Sequence, residues 1–478
     1  MSETSFIRNQ MLPPQAPPVT ERGAVKWLRE NLFSGWFNSI LTVVAIVALY
    51  FIVTTSLPWV LNGVWNADSL DGCRQALAAM GEGTAGACWA VLTRWNQFVY
   101  GFYPVELYWR PTLAAALLIV GLAPVLYYGL QRANTIMVGG IGLLLILSLW
   151  GLGTDGWHMA LAALVFVLLT AVAWIMPKKL VYLTLAFPAV GFYLLWGGSV
   201  WGPIGAMAGF AILGLVWFAL QRRLGVVVAA GVGVVVAALW WLWLQSKVTG
   251  VLHGAMPIGL EQVDSDQFGG FLLSFVIGVT AISASLPIGI ILALGRRSDM
   301  PLVKMICVGF IEFVRGVPLI TMLFTASLLL QYFLPPQTNF DLILRVIILV
   351  TLFAAAYIAE VVRGGLAALP RGQYEAADAL GLDYWQAQRL IVLPQALKIA
   401  IPGIVSSFIG LFKDTTLVAL VGLADPLQGI RKIVLADSAW KGLYWEPFIF
   451  VGCIFFVVCF SMSRYSMYLE RKLKTDHR

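Results

Sequence analysis

Stretches of mostly apolar residues, each long enough to form a membrane-spanning helix, follow one another through most of this 478-residue chain. Such a helix needs roughly 20 residues, and about twelve windows of this kind can be drawn. They lie near 37–61, 111–130, 136–152, 157–176, 180–197, 203–221, 225–245, 268–295, 303–333, 341–366, 399–424 and 445–465. Only 12% of the residues are Asp, Glu, Lys or Arg, about half the usual fraction in soluble domains. The chain is therefore predicted to be an all-α polytopic membrane protein.

Basic residues are divided unevenly between the two sides of the membrane that twelve crossings would define. Both chain ends would share one side, and that side carries about three times as many Lys and Arg residues as the other. Basic loops are retained in the cytoplasm. The sequence thus predicts cytoplasmic tails over 1–35 and 466–478, a first transmembrane helix over 36–61, and outward-facing segments over 62–110 and 246–267.

Cysteine and histidine positions indicate no metal centre. Cys73 and Cys88 share the outward segment, where an oxidising compartment would allow a disulfide; two free thiols remain the alternative, because sequence does not supply the Cβ geometry. The three histidines are scattered, with no spacing typical of zinc ligands. The sequence also contains no GxxxxGK[ST] phosphate loop. We therefore do not expect the chain to hydrolyse ATP itself or to hold a cofactor.

The polar stretch 373-QYEAADALGLDYWQAQRLIVLPQA-396 interrupts the apolar pattern. It is predicted to form two short helices: Gly381 would end the first, Asp383 would cap the second, and Pro394 would end that second helix. Tyr374, Ala377 and Leu380 would share one face of the first helix, and Tyr384, Ala387 and Ile391 one stripe of the second. The loop is therefore predicted to be folded.

Small and acidic side chains give the first of these helices a distinctive surface. Glu375, Ala376 and Ala377 offer little bulk, so a partner can approach closely, and Glu375 near a helix start suits the helix dipole. A helix lying on the membrane surface is the alternative, but such helices carry basic polar faces, whereas Glu375 and Asp378 are acidic. A docking element is favoured.

The glutamate-alanine-alanine triplet, Gly381 and 391-IVLP-394 together resemble the EAA loop of ABC-importer permeases, whose first helix is the coupling helix. Three further segments resemble the polar amino-acid branch of these permeases: 312-EFVRGVPL-319, 357-YIAEVVRGGL-366 and 412-FKDTTLVALVG-422. The similarity covers roughly 268–430. The preceding part, with its outward loop around 73–88, is similar to the larger permeases of general L-amino-acid importers.

This resemblance implies a type I ABC-importer permease core over 268–465, with the coupling loop at 367–398 and additional helices over 111–245. It implies ATPase-coupling roles for Glu375, Ala376, Ala377, Asp378, Gly381, Leu393 and Pro394. The implied partners are a cytoplasmic ABC ATPase dimer that binds ATP and magnesium, a second homologous permease and a periplasmic amino-acid-binding protein. The implied location is the bacterial inner membrane, and the implied function is that of a transmembrane subunit of an L-amino-acid importer.

Four consecutive polar residues inside a predicted span are candidates for contact with the transported substrate. Lys413, Asp414, Thr415 and Thr416 lie near the middle of the window 399–424, where ionisable residues are costly and mark function by default. A cation beside an anion suits a zwitterionic amino acid; the alternative is that these residues hold the helix bundle together.

Residues near the predicted cytoplasmic ends of the spans are interpreted differently. Arg315, Gly316 and Pro318 form a candidate hinge, because proline removes a backbone donor. Arg315 with Glu312, Glu360 and Arg363 is interpreted as structural, since long charged side chains near span ends can reach the interface.

Two other classes of membrane protein fit the composition. An ion-coupled secondary transporter of small polar solutes would need no ATPase, but such proteins often contain internal repeats, and no second copy of the 268–424 pattern is evident. A membrane enzyme would cluster polar catalytic residues at an interface, and none stands out.

Overall fold

The computed structural model describes residues 23–81, 83–127, 130–329, 332, 341–431 and 436–473. Within these ranges eleven helices are long and apolar enough to cross a membrane, and a bent helix pair makes up to twelve crossings if it counts as one span. The predicted all-α class with about twelve transmembrane helices is confirmed. The chain divides into two compact units after Val91.

The first unit contains three helices and the segment with Cys73 and Cys88. The helices are α1 (Gly23–Asn31), α2 (Trp36–Leu61) and α3 (Leu70–Met80). The Ser69 hydroxyl caps α3 and accepts a hydrogen bond from the Gly72 amide at 3.1 Å, which satisfies one of the unpaired donors at the helix start. The apolar window 37–61 is thus a single helix, followed by a short capped helix.

A disulfide joins Cys73 of α3 to Cys88, and both residues are buried. Their Cα atoms lie 5.8 Å apart, within the usual range for bonded cysteines. Cys88 also forms a backbone bridge with Val64, and the neighbouring Trp89 indole donates to the Val60 carbonyl at 3.2 Å. The disulfide therefore ties α3 to the segment that packs on the end of α2.

We expect Cys73 and Cys88 to resist maleimide in denaturant until a reductant is added, in a background with Cys307, Cys453 and Cys459 changed to Ala. Cys73→Ser should leave Cys88 reactive without reductant and destabilise the unit by about 3 kcal/mol, the value for a closed loop of this length. Mass spectrometry counts the labels. If the protein that keeps both Cys73 and Cys88 takes up two labels without reductant, the two thiols are free.

The second unit begins with a bundle of additional helices. They are α4 (Trp95–Tyr100), α5 (Trp109–Leu126), α6 (Gln131–Gly151), α7 (Gly156–Ile175), α8 (Val181–Trp196), α9 (Trp201–Leu224), α10 (Val226–Leu239) and α11 (Gln245–Ala255). Two short strands, β1 (Gly198–Ser199) and β2 (Gly259–Leu260), pair antiparallel. Helix α5 packs on α6 and α8, α6 on α7, and α9 on α10. The bundle is built from hairpins of neighbouring helices.

The remaining helices form the core that the resemblance predicted. They are α12 (Gly270–Arg296), α13 (Pro301–Gly316), α14 (Leu319–Phe324), α15 (Leu342–Ala367), α16 (Gly372–Ala379), α17 (Tyr384–Ala387), α18 (Leu393–Asp414), α19 (Pro426–Gly429) and α20 (Trp445–Leu473). The tightest pairing is between α12 and α15, where a Cβ on Gly289 would lie 2.6 Å from the Ile358 side chain. Glycine there permits close helix packing.

Glycines also allow three backbone segments to cross at one end of the core. Gly101, which follows α4, has φ +68°, and a Cβ on it would lie 2.3 Å from the Gly269 Cα atom. Gly270 begins α12, and its amide donates to the Ala424 carbonyl at 2.8 Å. An L-residue with a side chain would be strained at Gly101 and would clash there. The crossing fastens the segment around α4 to the core.

The window 303–333 is not one straight helix. Pro301–Gly316 and Leu319–Leu329 meet at an angle of 103°, because Val317 is extended and Pro318 cannot donate to the helix ladder. The bend falls at the proposed hinge of Arg315, Gly316 and Pro318, whose movement stays a prediction. Residues 330, 331 and 333 of that window lie outside the described residues.

Candidate functional site

The polar loop begins with α16, a helix of eight residues. Ala377 is fully buried, whereas Glu375, Ala376 and Asp378 are exposed. One small side chain of the glutamate-alanine-alanine triplet therefore packs inward, and the other lies on the surface between two acidic residues. The exposed surface of α16 therefore combines a small side chain with negative charge.

Gly381 ends α16 through a Schellman motif. Its φ is +69°, its amide donates to the Asp378 carbonyl at 2.9 Å, and the Leu382 amide donates to the Ala377 carbonyl at 3.2 Å. These two bonds satisfy carbonyls that the helix end leaves unpaired. Residues other than glycine adopt this backbone conformation at a cost of about 1–2 kcal/mol. The turn between the two helices thus depends on glycine at this position.

Asp383 begins the second helix with a capping box. Its carboxylate accepts from the Gln386 amide at 2.8 Å, and the Asp383 amide donates to the Gln386 side-chain oxygen at 3.1 Å. Two unpaired donors at the helix start are satisfied reciprocally. The predicted cap is present, and it fixes the direction in which the second helix leaves the turn.

The prediction that Pro394 ends the second helix is wrong. Helix α17 continues through a π-helical turn, Gln388–Val392, into α18, so that Tyr384–Val421 forms one helix of 38 residues. The wider hydrogen-bond spacing of the π-turn places Pro394 at the junction with α18, where its missing amide interrupts no regular α-helical bond. The membrane span near 399–424 therefore starts within the polar loop, and Leu393 packs against the inner core.

Four large apolar side chains lie on the surface of the loop. Leu380 is 73% exposed, Tyr384 52%, Trp385 58% and Leu390 64%. Leu380 follows the end of α16, and Tyr384 lies in the first turn of α17. Exposed apolar groups on a polar loop are available for contact with a partner protein or with the membrane surface. We call these four residues the apolar face of the loop.

A polar cavity of about 390 Å³ adjoins α16. Arg297 at the end of α12 donates to the Leu366 carbonyl and to the Tyr374 hydroxyl, each at 3.1 Å, while Glu375 and Asp378 line the cavity from the helix. The arginine anchors α16 to the core. Arg371 also lines the cavity, so its two carboxylates share the space with two guanidinium groups.

Glu360 of α15 is the centre of an ion cluster that links three core helices. Its carboxylate lies 2.6 Å from Arg296 of α12, 3.1 Å from Arg363 of its own helix and 3.6 Å from Arg315 of α13. Arg296 also contacts Glu312 at 2.9 Å. The side chain of Glu360 is 16% exposed, so its charge is poorly solvated. The residues interpreted as structural therefore act together around Glu360, and Arg296, which was not among them, joins the cluster.

The candidate substrate-path residues lie where α18 changes into a 3₁₀ helix, Thr415–Val421. Lys413 is exposed and Asp414 is half-buried; within the described residues neither forms an ion pair. The Thr415 hydroxyl donates to the Phe412 carbonyl at 2.7 Å, and the Thr416 hydroxyl to the Lys413 carbonyl at 2.9 Å. Both hydroxyl protons are thus used by the helix, which leaves Lys413 and Asp414 as the better candidates for substrate contact.

Asp425, which the sequence analysis did not single out, is a buried carboxylate beyond this helix. It caps α19 by accepting from the Leu427 amide at 3.1 Å and the Gln428 amide at 2.8 Å. Burial raises the pKa of Asp425 to about 6, although these two hydrogen bonds oppose the shift. The folded protein therefore binds this proton more tightly than the unfolded chain does.

We expect Asp425→Asn to remove part of the pH dependence of stability. Because the folded-state pKa is raised, the protein should gain stability as the pH falls from 7 through about 6 and stop gaining near the usual value of 3.8. Asparagine keeps the cap, so the variant should melt a few degrees higher at pH 7 and show a flatter profile. Thermal unfolding in detergent between pH 4.5 and 7.5 measures this. Asp383→Asn, at an exposed cap, is the control; equal profiles for Asp425→Asn and wild type would contradict the assignment.

Comparison with known proteins decides the family. Residues 285–475 match the family described as binding-protein-dependent transport system inner membrane component. The chain is 61% identical over 480 residues, covering 100% of both proteins, to the glutamate/glutamine/aspartate/asparagine transport system permease protein BztC of Rhodobacter capsulatus. The chain belongs to this permease family. It is a transmembrane permease subunit of an ABC importer for L-amino acids, located in the inner membrane, and is not itself the ATPase.

Two further relatives of the permease show how its length is made up. The inner membrane amino-acid ABC transporter permease protein YhdY of Escherichia coli is 34% identical over 465 residues, 97% of this chain and 96% of the relative. The glutamate/aspartate import permease protein GltK of E. coli is 32% identical over 209 residues, which are 91% of that protein but only 42% of this one. The additional helices thus extend a smaller type of permease.

Proposed function

We propose that this permease imports L-glutamate, L-aspartate and their amides. The observation that carries the proposal is the identity of 61% along the whole chain to a permease named for these four amino acids. A second relative is named for glutamate and aspartate. The exposed Lys413 and half-buried Asp414 supply a cation for the α-carboxylate and an anion for the ammonium group.

Both chain ends and the polar loop are proposed to lie in the cytoplasm, with 62–110 and 246–267 in the periplasm. The uneven distribution of Lys and Arg supports this orientation. An even number of crossings, with the bent pair counted as one span, is consistent with chain ends on one side. Periplasmic exposure of 62–110 also suits its disulfide.

The proposed partners are a dimer of ABC ATPases, a second homologous permease and a periplasmic amino-acid-binding protein. ATP and magnesium would be held by the ATPases. The loop supports the first partner: its apolar face supplies contact area, Ala376 permits close approach, and the exposed Glu375 and Asp378 can pair with basic side chains. ATPase closure would move the loop and, through the helix Tyr384–Val421, the core between outward- and inward-facing states.

Competition for uptake tests the substrate class. In cells that depend on this permease, excess L-glutamine, L-aspartate or L-asparagine should suppress uptake of labelled L-glutamate, whereas L-arginine and L-leucine should not. Uptake should cease when ATP is depleted and the membrane potential is kept. Uptake that persists under that condition, or equal suppression by L-leucine, would contradict the proposal.

Purification of the assembly from native membranes tests the docking role. Wild type should carry an ATPase and a second permease, identified by mass spectrometry, whereas Glu375→Ala with Gly381→Pro should lose the ATPase. Proline cannot adopt φ +69° and would delete the amide that bonds Asp378. The control is Gly372→Ala, since that glycine has open space and an ordinary φ. An ATPase retained equally by the loop variant would show that docking occurs elsewhere.

A further inference from the structure

A groove separates the additional helices from the permease core over one half of their length. It has a volume of about 830 Å³, and its walls are α5 and α8 on one side and α12 and α15 on the other. Counted along their helices, the lining residues furthest from the groove mouth include Ile119 of α5, Thr280 of α12 and Phe187 of α8. Each lies about ten residues from the helix end nearest the groove mouth, so the groove is roughly 15 Å deep.

The depth and the lining match one leaflet of a bilayer. Half of a hydrocarbon core is about 15 Å thick, and the deep walls are apolar apart from the Thr280 hydroxyl, with side chains such as Phe187, Phe275 and Ile347. Water is not expected in an apolar space of this kind, and an empty groove would forfeit the dispersion contacts of its walls. Acyl chains are the filling that the surroundings of a membrane protein supply.

Polar groups are concentrated at the mouth of the groove, and its charged groups are both negative. Asp264 and Asp341 line the mouth together with Gln262, and the Tyr100 hydroxyl is hydrogen-bonded to Thr112 at 2.7 Å. Among the lining residues of the described chain, none is Lys or Arg. The adjacent Arg110 is buried and donates to the Glu261 carbonyl, so it does not line the groove. Two carboxylates with no cation among the lining residues disfavour an anionic headgroup and favour one with an ammonium group that donates hydrogen bonds. A quaternary ammonium has no such donor.

We propose that this groove binds one aminophospholipid of the phosphatidylethanolamine type, with its acyl chains between the two helix groups and its ammonium at Asp264 and Asp341. Ala115 faces the groove and is exposed. The lipid fills the space between the additional helices and the core. This site does not depend on which amino acid the permease carries.

The proposal is tested by native mass spectrometry of the transporter, after reconstitution into vesicles with equal amounts of phosphatidylethanolamine, phosphatidylglycerol and phosphatidylcholine. Wild type should retain one phosphatidylethanolamine per permease. Ala115→Phe, which fills the groove, should reduce this retention at least about tenfold. Ala160→Phe introduces the same ring at an exposed alanine of α7 outside the groove and should retain the lipid.

A second variant separates headgroup recognition from the filling of the groove. Asp264→Asn with Asp341→Asn should keep a bound lipid and lose the preference for phosphatidylethanolamine over phosphatidylcholine; asparagine preserves the cap that Asp341 provides for Leu344. Equal retention by Ala115→Phe and wild type would exclude the groove as the site. Enrichment of phosphatidylglycerol would overturn the headgroup assignment. If wild type binds no lipid and Ala115→Phe loses the second permease, the groove is a subunit interface and the lipid proposal is overturned.

Discussion

Glu360→Gln should lower the melting temperature of the purified permease by on the order of 5 °C, because three arginines would then face one another around a neutral amide. Removing one member of a buried ion cluster costs about 3–5 kcal/mol, and the partial exposure of Glu360 and its partners reduces that figure. Part of the loss should be recovered in high salt, which screens the repulsion between the arginines. Thermal unfolding at low and high ionic strength measures both effects.

The matched control is Glu312→Gln. This carboxylate also pairs with Arg296, but its side chain is 55% exposed and the contact is a single ion pair. Its loss should cost about 1 kcal/mol or less. If Glu312→Gln destabilises the protein as much as Glu360→Gln does, then Glu360 is not the centre of the cluster.

Trp385→Ala should release the ATPase from the permease while leaving the permease folded. The tryptophan is 58% exposed on the apolar face of the loop, and truncating an aromatic anchor at the centre of an interface costs at least about 2 kcal/mol. Retention of the ATPase should fall by at least about thirtyfold, and ATP-driven uptake should fall with it. Quantitative mass spectrometry of the purified assembly and uptake assays provide the two readouts.

Trp157→Ala is the control for this variant, because Trp157 on α7 is also exposed, at 76%, and lies far along the chain from the loop. It should retain the ATPase. A Trp385→Ala variant that keeps its ATPase, with an unchanged melting temperature, would remove the apolar face from the docking surface.

Features that depend on nearby residues could be predicted from the sequence. The apolar windows specify helices by their length, the turn at Gly381 follows from the need for a positive φ, and the cap at Asp383 requires only Gln386 three residues later. The resemblance of the loop and of three core segments indicated the correct family. Local rules were sufficient for these features.

Features that depend on distant or competing contacts could not be predicted in the same way. Arg296 and Glu360 are 64 residues apart, so their pairing follows only from the packing of α12 on α15. The rule that proline ends a helix failed at Pro394 because a π-turn precedes it. The exposure of Leu380 and Tyr384 depends on where α16 ends and how α17 leaves the turn, and helical periodicity does not give either.

The continuous helix Tyr384–Val421 has a mechanical consequence. Its first turn carries Tyr384 and Trp385, and Lys413 lies 29 residues further on, roughly 40 Å along the axis. A lever of this length amplifies rotation: a tilt of about 5° at the Tyr384 end displaces the region of Lys413 by roughly 3–4 Å. Such a displacement approaches the width of a small side chain, so a slight rotation of the loop is enough to rearrange the contacts around Lys413.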